Sequence, residues 1–309
     1  SEEYIRQMIK ETDGDSFEKL RSLNQNLTFN YTNMIFEKTG IEFGEVQKKT
    51  LGIIGEDNLY TNLGLLLSDQ CVHTLKIAVF EGKDKAVFKD RKEFTGSLLK
   101  QITEAFEYID LINKTKATFE GLIRKDERDY PVEAIREALL NAVVHREYSF
   151  GASTLINIYE DRIEFLSLGG IVSGLSLEAI MLGISQSRNE KLSNVFYRLR
   201  LIEAFGTGIQ KIIRSYMDYE VQPTFKAEQG AFVVILPNRH LSTKKEIVSL
   251  TDGQERVIKI LGTGEKSRKE IEDSIGLSQT RVINLLKELQ ELNIIEKIKK
   301  GRNISYKIK

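Results

Sequence analysis

The stretch PVEAIREALLNAVVHREY, residues 131 to 148, is the part of the sequence that decides the fold. Pro131 is suited to the first turn of a helix and marks its start. Apolar residues follow at helical spacing and predict a buried face, namely Ile135, Ala138, Leu139, Ala142 and Val143. Glu133, Glu137, Asn141 and His145 recur every four residues. On a helix they form one polar stripe, which we expect to lie opposite the buried face.

Two members of this stripe carry groups that suit magnesium–nucleotide chemistry. The amide oxygen of Asn141 can ligate Mg²⁺. The carboxylate of Glu137, one turn away, can orient or deprotonate a water molecule beside a γ-phosphate. Glu-x-x-x-Asn is common on surface helices, so this interpretation depends on the sequence that follows.

Two glycine loops follow the helix. A hairpin predicted at 155–159 and 162–166 is followed by Gly169-Gly170, and Gly206-Thr-Gly208 precedes a helix predicted at 209–216. Backbone amides in such loops, together with a helix N-terminus, can hold phosphates. With a last strand at 231–236, this order predicts an α+β layer of helices beside a largely antiparallel sheet.

This order resembles the GHKL (Bergerat-type) ATPase fold. More closely, residues 131–212 resemble the divergent GHKL domain of a bacterial and archaeal family of predicted transcriptional regulators. The matching residues are Arg136-Glu-Ala-Leu-Leu-Asn-Ala-Val-Val-His-Arg-Glu-Tyr148, Arg162-Ile-Glu164, Gly169-Gly170, Arg188-Asn189 and Gly206-Thr-Gly-Ile209. The resemblance implies three regions: the C-terminal part of a Schlafen-type AlbA_2 domain plus a connector at 1–125, a GHKL ATPase-like domain at 126–240, and a winged helix-turn-helix at 250–309.

The resemblance also implies an ATP and Mg²⁺ site. It makes Glu137 the general base and Asn141 the Mg²⁺ ligand. The other candidate nucleotide-binding residues are His145, Ser167, Gly169, Gly170, Gly206, Thr207 and Gly208. His145 and Arg146 can contact phosphates or, alternatively, hold the end of the helix against the hairpin. Ser167 departs from the family pattern, because the fold normally has an Asp there to accept a hydrogen bond from the adenine amino group. A hydroxyl can accept that bond but lacks the charge that strengthens it.

The residues from 251 onward predict a winged helix-turn-helix on local signals alone. Thr251 with Gln254, and Ser267 with Glu270, are capping-box patterns. Gly276-Leu-Ser278 is the tight turn between two helices, and a basic hairpin tip follows at 299–302. This segment holds 13 Lys or Arg and 9 Asp or Glu, a net charge of +4 in a neutral protein.

In such a module the third helix enters the major groove by its N-terminal part, and the wing contacts phosphates or the minor groove. The predicted DNA-binding residues are Gln279, Thr280, Arg281, Asn284, Lys299, Lys300 and Arg302. The alternative is a winged helix that contacts protein, which leaves the basic tip as an ordinary solvated turn.

Net charge, cysteine content and the length of the apolar runs narrow the possible classes of protein further. The chain has 309 residues and a formal net charge of zero, which excludes a polybasic nucleic-acid coat. Its one cysteine excludes an internal disulfide framework and favours the cytoplasm. We expect no membrane span, since no apolar run approaches the ~20 residues required. The chain starts abruptly within what reads as a helix, so we expect it to be cut from a longer protein.

The sequence therefore predicts an α+β, cytoplasmic transcriptional regulator that binds double-stranded DNA as a homodimer and responds to Mg·ATP. Two alternatives stay open. One is an ATP-hydrolysing enzyme that acts on DNA, and the other is a pseudo-ATPase dimerisation scaffold that binds no nucleotide.

Overall fold

The computed structural model describes residues 16–120, 122–203, 206–240, 251–262, 264–291, 294–300 and 303–308. The chain divides into two compact units, with the division between residues 242 and 243. Within the described ranges the architecture is mixed α/β, with eleven α-helices and eleven strands. No helix in these ranges combines the length and apolar character that crossing a membrane requires.

The larger unit is organised around a six-stranded mixed sheet. Its strands and those of a separate hairpin are β1 (Leu75–Glu81), β2 (Val87–Phe94), β3 (Thr115–Glu120), β4 (Ile123–Arg128), β5 (Thr154–Ile158), β6 (Arg162–Leu168), β7 (Thr224–Glu228) and β8 (Ala231–Pro237). The order across the sheet is β2, β1, β5, β6, β8, β7. Strands β1 and β5 are parallel, and the other neighbours are antiparallel. The sheet therefore joins strands from both sides of the predicted boundary at residue 125, and the domain limits stay predictions.

Eight helices and one 3₁₀ turn, Phe17–Lys19, accompany this sheet in the described ranges. The helices are α1 (Asn30–Lys38), α2 (Glu45–Leu51), α3 (Asn62–Leu67), α4 (Leu98–Ile112), α5 (Val132–Val144), α6 (Leu177–Met181), α7 (Glu190–Arg198) and α8 (Gly208–Arg214). One continuous hydrophobic core runs through the unit, from Leu27 to Leu236.

The central helix α5 is covered on both sides. It packs against α4, α8 and strand β6. The expected polar stripe opposite the buried face is therefore wrong in part: Glu133 is exposed, but Glu137 is only 6% exposed, and Asn141 and His145 are half-buried. Helix α8 brings Gly208 against Glu137 and Asn141, which closes the face that the periodicity assigned to solvent.

Two sheet details differ from the sequence predictions. The apolar residues Phe119 and Ile123 predict a strand at 119–123, but this stretch straddles the turn between β3 and β4, where the two side chains are 69% and 74% exposed. Their apolar character resembles a buried strand although they lie at a hairpin end. Strand β7, an edge strand with mostly exposed residues, was not predicted because only Phe225 supplies a buried apolar position.

The described residues of the smaller unit form three helices and a three-stranded antiparallel sheet. These are α9 (Asp252–Leu261), α10 (Arg268–Ile275), α11 (Gln279–Glu291), β9 (Lys266–Ser267), β10 (Ile295–Lys300) and β11 (Asn303–Ile308). Both predicted capping patterns are formed: Thr251 N donates to Gln254 Oε1 at 2.9 Å, and Ser267 N donates to Glu270 Oε2 at 2.7 Å. Gly276 ends α10 with φ 70°, which favours glycine.

Candidate functional site

A cavity of about 110 Å³ lies between the C-terminal half of α5, the end of β6 and the loops on either side of α6. It brings together seven of the predicted nucleotide-binding residues, which are Asn141, His145, Ser167, Gly169, Gly170, Gly206 and Gly208. Glu137 and Thr207 are not among the lining residues. The remaining wall is mostly apolar and consists of Ile171, Val172, Leu175, Ile180, Ile184, Ile209 and Phe232, with Ser185 and Gln186.

Glycine is required where the loops lie against their neighbours. Gly206 has φ 64°, and a Cβ there would lie 2.6 Å from the carbonyl oxygen of Gly183. A Cβ on Gly208 would lie 3.0 Å from Glu137 Oε2 and 3.1 Å from Asn141 Nδ2. The missing side chains let the 206–208 segment contact both α5 and the loop after α6, which closes the cavity on that side.

Asn141 presents a free carboxamide to the cavity. Within the described ranges its side chain forms no hydrogen bond with protein, although its backbone oxygen accepts from His145 N at 3.1 Å. A half-buried amide without protein partners has its oxygen and both N–H groups available to a ligand. This is the group that the sequence predicted for Mg²⁺.

Ser167 is 4% exposed and donates its hydroxyl hydrogen to the Ala142 carbonyl oxygen, with an Oγ to O distance of 2.9 Å. Because a hydroxyl has one hydrogen and two lone pairs, this bond leaves Ser167 Oγ as an acceptor. In the GHKL fold that the sequence resembles, an Asp at this position accepts a hydrogen bond from the adenine amino group. Ser167 places a hydrogen-bond acceptor at the same position, without the negative charge.

Glu137 lies beside the cavity, at the edge formed by Gly208. Its Oε1 is 2.5 Å from Arg136 Nη1 and 3.8 Å from Lys211 Nζ. Burial raises the pKa of Glu137, and the charges of Arg136 and Lys211 oppose that shift. Lys211 also pairs with Glu203 at 2.6 Å, so the carboxylate is one member of a charged network that links α5 to α8.

Thr207 belongs to this network and not to the cavity. Its hydroxyl donates to Glu203 Oε2 at 3.0 Å. The structure therefore separates the predicted set into seven residues on the cavity wall and two, Glu137 and Thr207, beside it.

Arg188 is a site residue whose role the sequence did not reveal, although the Arg188-Asn189 pair carried part of the family resemblance. Its guanidinium donates to the carbonyl oxygens of His145 at 3.2 Å and Gly170 at 2.9 Å, and pairs with Glu147 at 3.2 Å. It thereby ties the end of α5 to the Gly-Gly loop.

Burial, helped by the Arg188 charge, lowers the pKa of His145 to about 4, so this imidazole is neutral at physiological pH.

Arg146 and Asn189 hold the end of α5 in place. Arg146 is 1% exposed, donates to Thr154 Oγ1 at 3.3 Å and to the Ala152 carbonyl, and lies 5.0 Å from the Tyr148 ring centroid. Asn189 Nδ2 donates to the carbonyl oxygens at 144 and 146, both at 2.8 Å. Arg146 is thus committed to structural contacts and is not available for a phosphate.

The structure describes the positions of six of the seven predicted DNA-binding residues. Gln279, Thr280, Arg281 and Asn284 are all exposed on the N-terminal half of α11. The Gln279 carboxamide oxygen accepts from Arg268 at 2.9 and 3.1 Å once its amide is oriented to satisfy both groups. Lys299 and Lys300 lie in β10, and Arg302 lies outside the described residues.

A protein-only metal centre is not present in the described ranges, because no group of three or more His, Cys, Asp or Glu converges there. Mg²⁺ is commonly held by one or two protein ligands together with substrate phosphates and water, so a single amide ligand suits it better than a structural metal. The predicted Mg²⁺ contact of the protein therefore depends on Asn141.

Comparison with known proteins bears on the central region. Residues 151–236 match a family model, HATPase_c_4, described as "Putative ATP-dependent DNA helicase recG C-terminal". This match spans β5 to β8 and both glycine loops, and begins after α5. A search of curated proteins found no match.

Among solved structures, the chain is similar to the crystal structure of the DIP2311 protein from Corynebacterium diphtheriae, with a TM-score of 0.64 and 16% sequence identity. The alignment covers 98% of this chain and 66% of that protein, so the chain spans just under two thirds of its length. At this identity the likeness concerns the fold alone. The family match supports an ATPase-like domain at residues 151–236.

Proposed function

We propose that this protein is a DNA-binding transcriptional regulator whose ATPase-like domain binds Mg·ATP and thereby changes the pairing or spacing of two DNA-binding modules. The observation that carries the proposal is the convergence of seven predicted nucleotide-binding residues on one cavity, from sequence positions between 141 and 208. Convergence of that kind is not expected of residues that match a motif by chance.

Each part of the cavity suits one part of the nucleotide. Ser167 Oγ supplies an acceptor for the adenine amino group, and the apolar wall, which includes Phe232 and Ile171, suits an aromatic base. The Asn141 carboxamide oxygen would ligate Mg²⁺. Bound Mg²⁺ would neutralise phosphate charge, and the backbone N–H groups of the 206–208 loop, which lines the cavity, would donate to the phosphates.

A second candidate function, slow ATP hydrolysis, is favoured by the burial of Glu137. A carboxylate with a raised pKa is a better proton acceptor than an exposed one. Its Oε1 is held by Arg136, while Oε2 faces Gly208 at the edge of the cavity. Mg-dependent phosphate release that disappears in Glu137→Gln, with ATP binding retained, would support this activity.

The smaller unit supports the DNA-binding half of the proposal. Its order of three helices followed by a β-hairpin supports the predicted winged helix, and four predicted base-contacting side chains are exposed together on α11. A homodimer would match a palindromic operator. Control by ATP requires that the nucleotide bind the DNA-competent arrangement and its alternative with different affinities.

Calorimetric titration of Mg·ATP tests the nucleotide half directly. We expect saturable binding to the full chain and a loss of at least about tenfold in affinity in Asn141→Ala, since a charge-assisted ligand contact is removed. Asn33→Ala, which truncates an exposed asparagine on α1, is the matched control and should bind as the parent does. Absence of binding to the parent chain would leave the ATPase-like domain as a scaffold, and the nucleotide half of the proposal would be wrong.

A further inference from the structure

A second, open cavity of about 460 Å³ lies in the larger unit and shares no lining residue with the first. It is formed by the 3₁₀ turn, α2, the loop after α2 and the start of α7. Its lining residues are Lys19, Lys49, Gly52, Ile54, Gly55, Glu56, Asn58, Thr61 and Lys191.

Three lysines from separate parts of the chain meet at this cavity. Within the described ranges, Lys19, Lys49 and Lys191 have no carboxylate within 4.0 Å and no hydrogen-bond acceptor for their ammonium groups. The neighbouring Lys48, by contrast, pairs with Glu45 at 3.1 Å. Unpaired ammonium groups that share a cavity repel one another unless an anion lies between them.

The acidic groups nearby do not neutralise this charge. Among the described residues that line the cavity, Glu56 is the single carboxylate, against three lysines. Glu18, next to Lys19, is 1% exposed, and its two oxygens accept from the backbone N–H groups of Lys191 and Leu192, both at 2.8 Å. Glu18 therefore occupies the N-terminus of α7, where its charge also interacts with that of Lys19. Within the described ranges, Lys49 and Lys191 form no ion pair with it.

The lining residues also indicate what kind of anion fits. In the described part of the chain they include no aromatic side chain and one sizeable apolar one, Ile54, so these residues offer a nucleobase no stacking surface. Asn58 adds a carboxamide that has no protein partner within the described ranges, and its backbone is held at φ 61°. The stem of Lys191 lies against Gly52, at 3.6 to 3.9 Å from the position that a Cβ on this glycine would occupy.

We infer that this cavity is a second anion site, which binds phosphate groups through Lys19, Lys49 and Lys191 with Asn58 as a further donor. Lysine suits phosphate as a mobile point charge that donates in several directions. The phosphate belongs either to a small free compound or to a nucleic-acid backbone, and both present the same chemistry to the lysines. This site does not depend on the proposed nucleotide cavity.

The test is a calorimetric titration of the full chain with inorganic pyrophosphate at low salt, without Mg²⁺. We compare the parent, the double variant Lys49→Gln/Lys191→Gln and the matched control Lys89→Gln/Lys226→Gln, which removes two exposed lysines from the edge strands β2 and β7. Glutamine keeps most of the stem and removes the charge, so the fold should persist, with unchanged thermal midpoints as the check. We expect at least about tenfold weaker binding in the cavity variant and parental binding in the control.

Asn141→Ala separates the two cavities, because pyrophosphate that binds the lysines should bind this variant normally. Absence of pyrophosphate binding to the parent, or equal binding by the parent and Lys49→Gln/Lys191→Gln, overturns the inference. Loss of pyrophosphate binding in Asn141→Ala alone also overturns it, since the anion would then lie in the first cavity.

A short single-stranded oligonucleotide identifies the source of the phosphate. If the cavity variant also binds the oligonucleotide more weakly, with the slope of affinity against salt reduced by about one unit or more, the phosphates belong to a nucleic-acid backbone. If oligonucleotide binding is unchanged while pyrophosphate binding is lost, the ligand is a free phosphate compound.

Discussion

The two units of this protein differ in how their candidate functional residues are assembled. In the smaller unit, Gln279, Thr280, Arg281 and Asn284 are neighbours in sequence, and a single helix displays them. In the larger unit, the cavity draws on α5, β6 and two glycine loops, whose lining residues lie between positions 141 and 208. A local surface tolerates change outside its own helix, whereas a cavity built from distant segments depends on each contact that holds those segments together.

The largest effect should come from Gly206→Ala. The substitution places a Cβ at positive φ and 2.6 Å from the Gly183 carbonyl oxygen, so the 206–208 segment must move. We expect the larger unit to lose about 2 kcal/mol of unfolding free energy and Mg·ATP binding to disappear, as measured by urea unfolding and calorimetry.

Gly40→Ala is the matched control, because Gly40 has φ 71° but open space around its Cβ position. It should cost about 1 kcal/mol, the backbone penalty alone, and leave nucleotide binding intact. Equal effects of the two variants would show that the contact between Gly206 and Gly183 does not shape the cavity.

A comparable but local effect is expected for DNA. Arg281→Ala should weaken specific binding by about 1–3 kcal/mol, and Lys300→Ala should lower affinity for all sequences and flatten the salt slope by about one unit. Both variants should leave Mg·ATP binding unchanged. The measurement is a gel shift or fluorescence anisotropy over a range of salt, with Lys226→Ala from the larger unit as the control. If both variants bind DNA as the parent does, α11 and the hairpin tip are not the DNA-binding surface.

The smallest effect should come from Ser167→Ala. It removes the acceptor that faces the cavity, and we expect ATP affinity to fall about fivefold to tenfold, the equivalent of one hydrogen bond. A nucleotide without the adenine amino group, inosine triphosphate, should bind parent and variant equally, so the preference for ATP disappears. Ser185→Ala, on the same cavity wall, should retain the preference. Retention of the preference in Ser167→Ala would mean that Ser167 does not contact the base.

The sequence predicted the local elements well where one rule is sufficient. Helix α5 begins directly after Pro131, both capping boxes form, and hairpin β5–β6 is confirmed within two residues at each end. The predictions were wrong where local character conflicts with position in the fold. Phe119 and Ile123 are apolar but lie at a hairpin turn, and Glu137 is charged but buried.

The candidate nucleotide site likewise has features that the sequence predicted and features that it could not predict. Asn141, Ser167 and the glycines could be predicted, because helix periodicity, loop glycines and a family resemblance mark them in the sequence. The free carboxamide of Asn141 and the acceptor state of Ser167 Oγ could not, since both follow from which neighbouring groups complete or leave open their hydrogen bonds.

By itself, the sequence determined where helices, capped ends, hairpins and glycine turns occur, because these depend on contacts within a few residues. Only the tertiary structure decided that α8 covers the polar face of α5, that Arg188 ties His145 to Gly170, and that three lysines from distant parts of the chain line one cavity. Lys19, Lys49 and Lys191 are up to 172 positions apart, and no local rule relates them. Their convergence is set by the path of the chain, which the packing of the whole hydrophobic core determines.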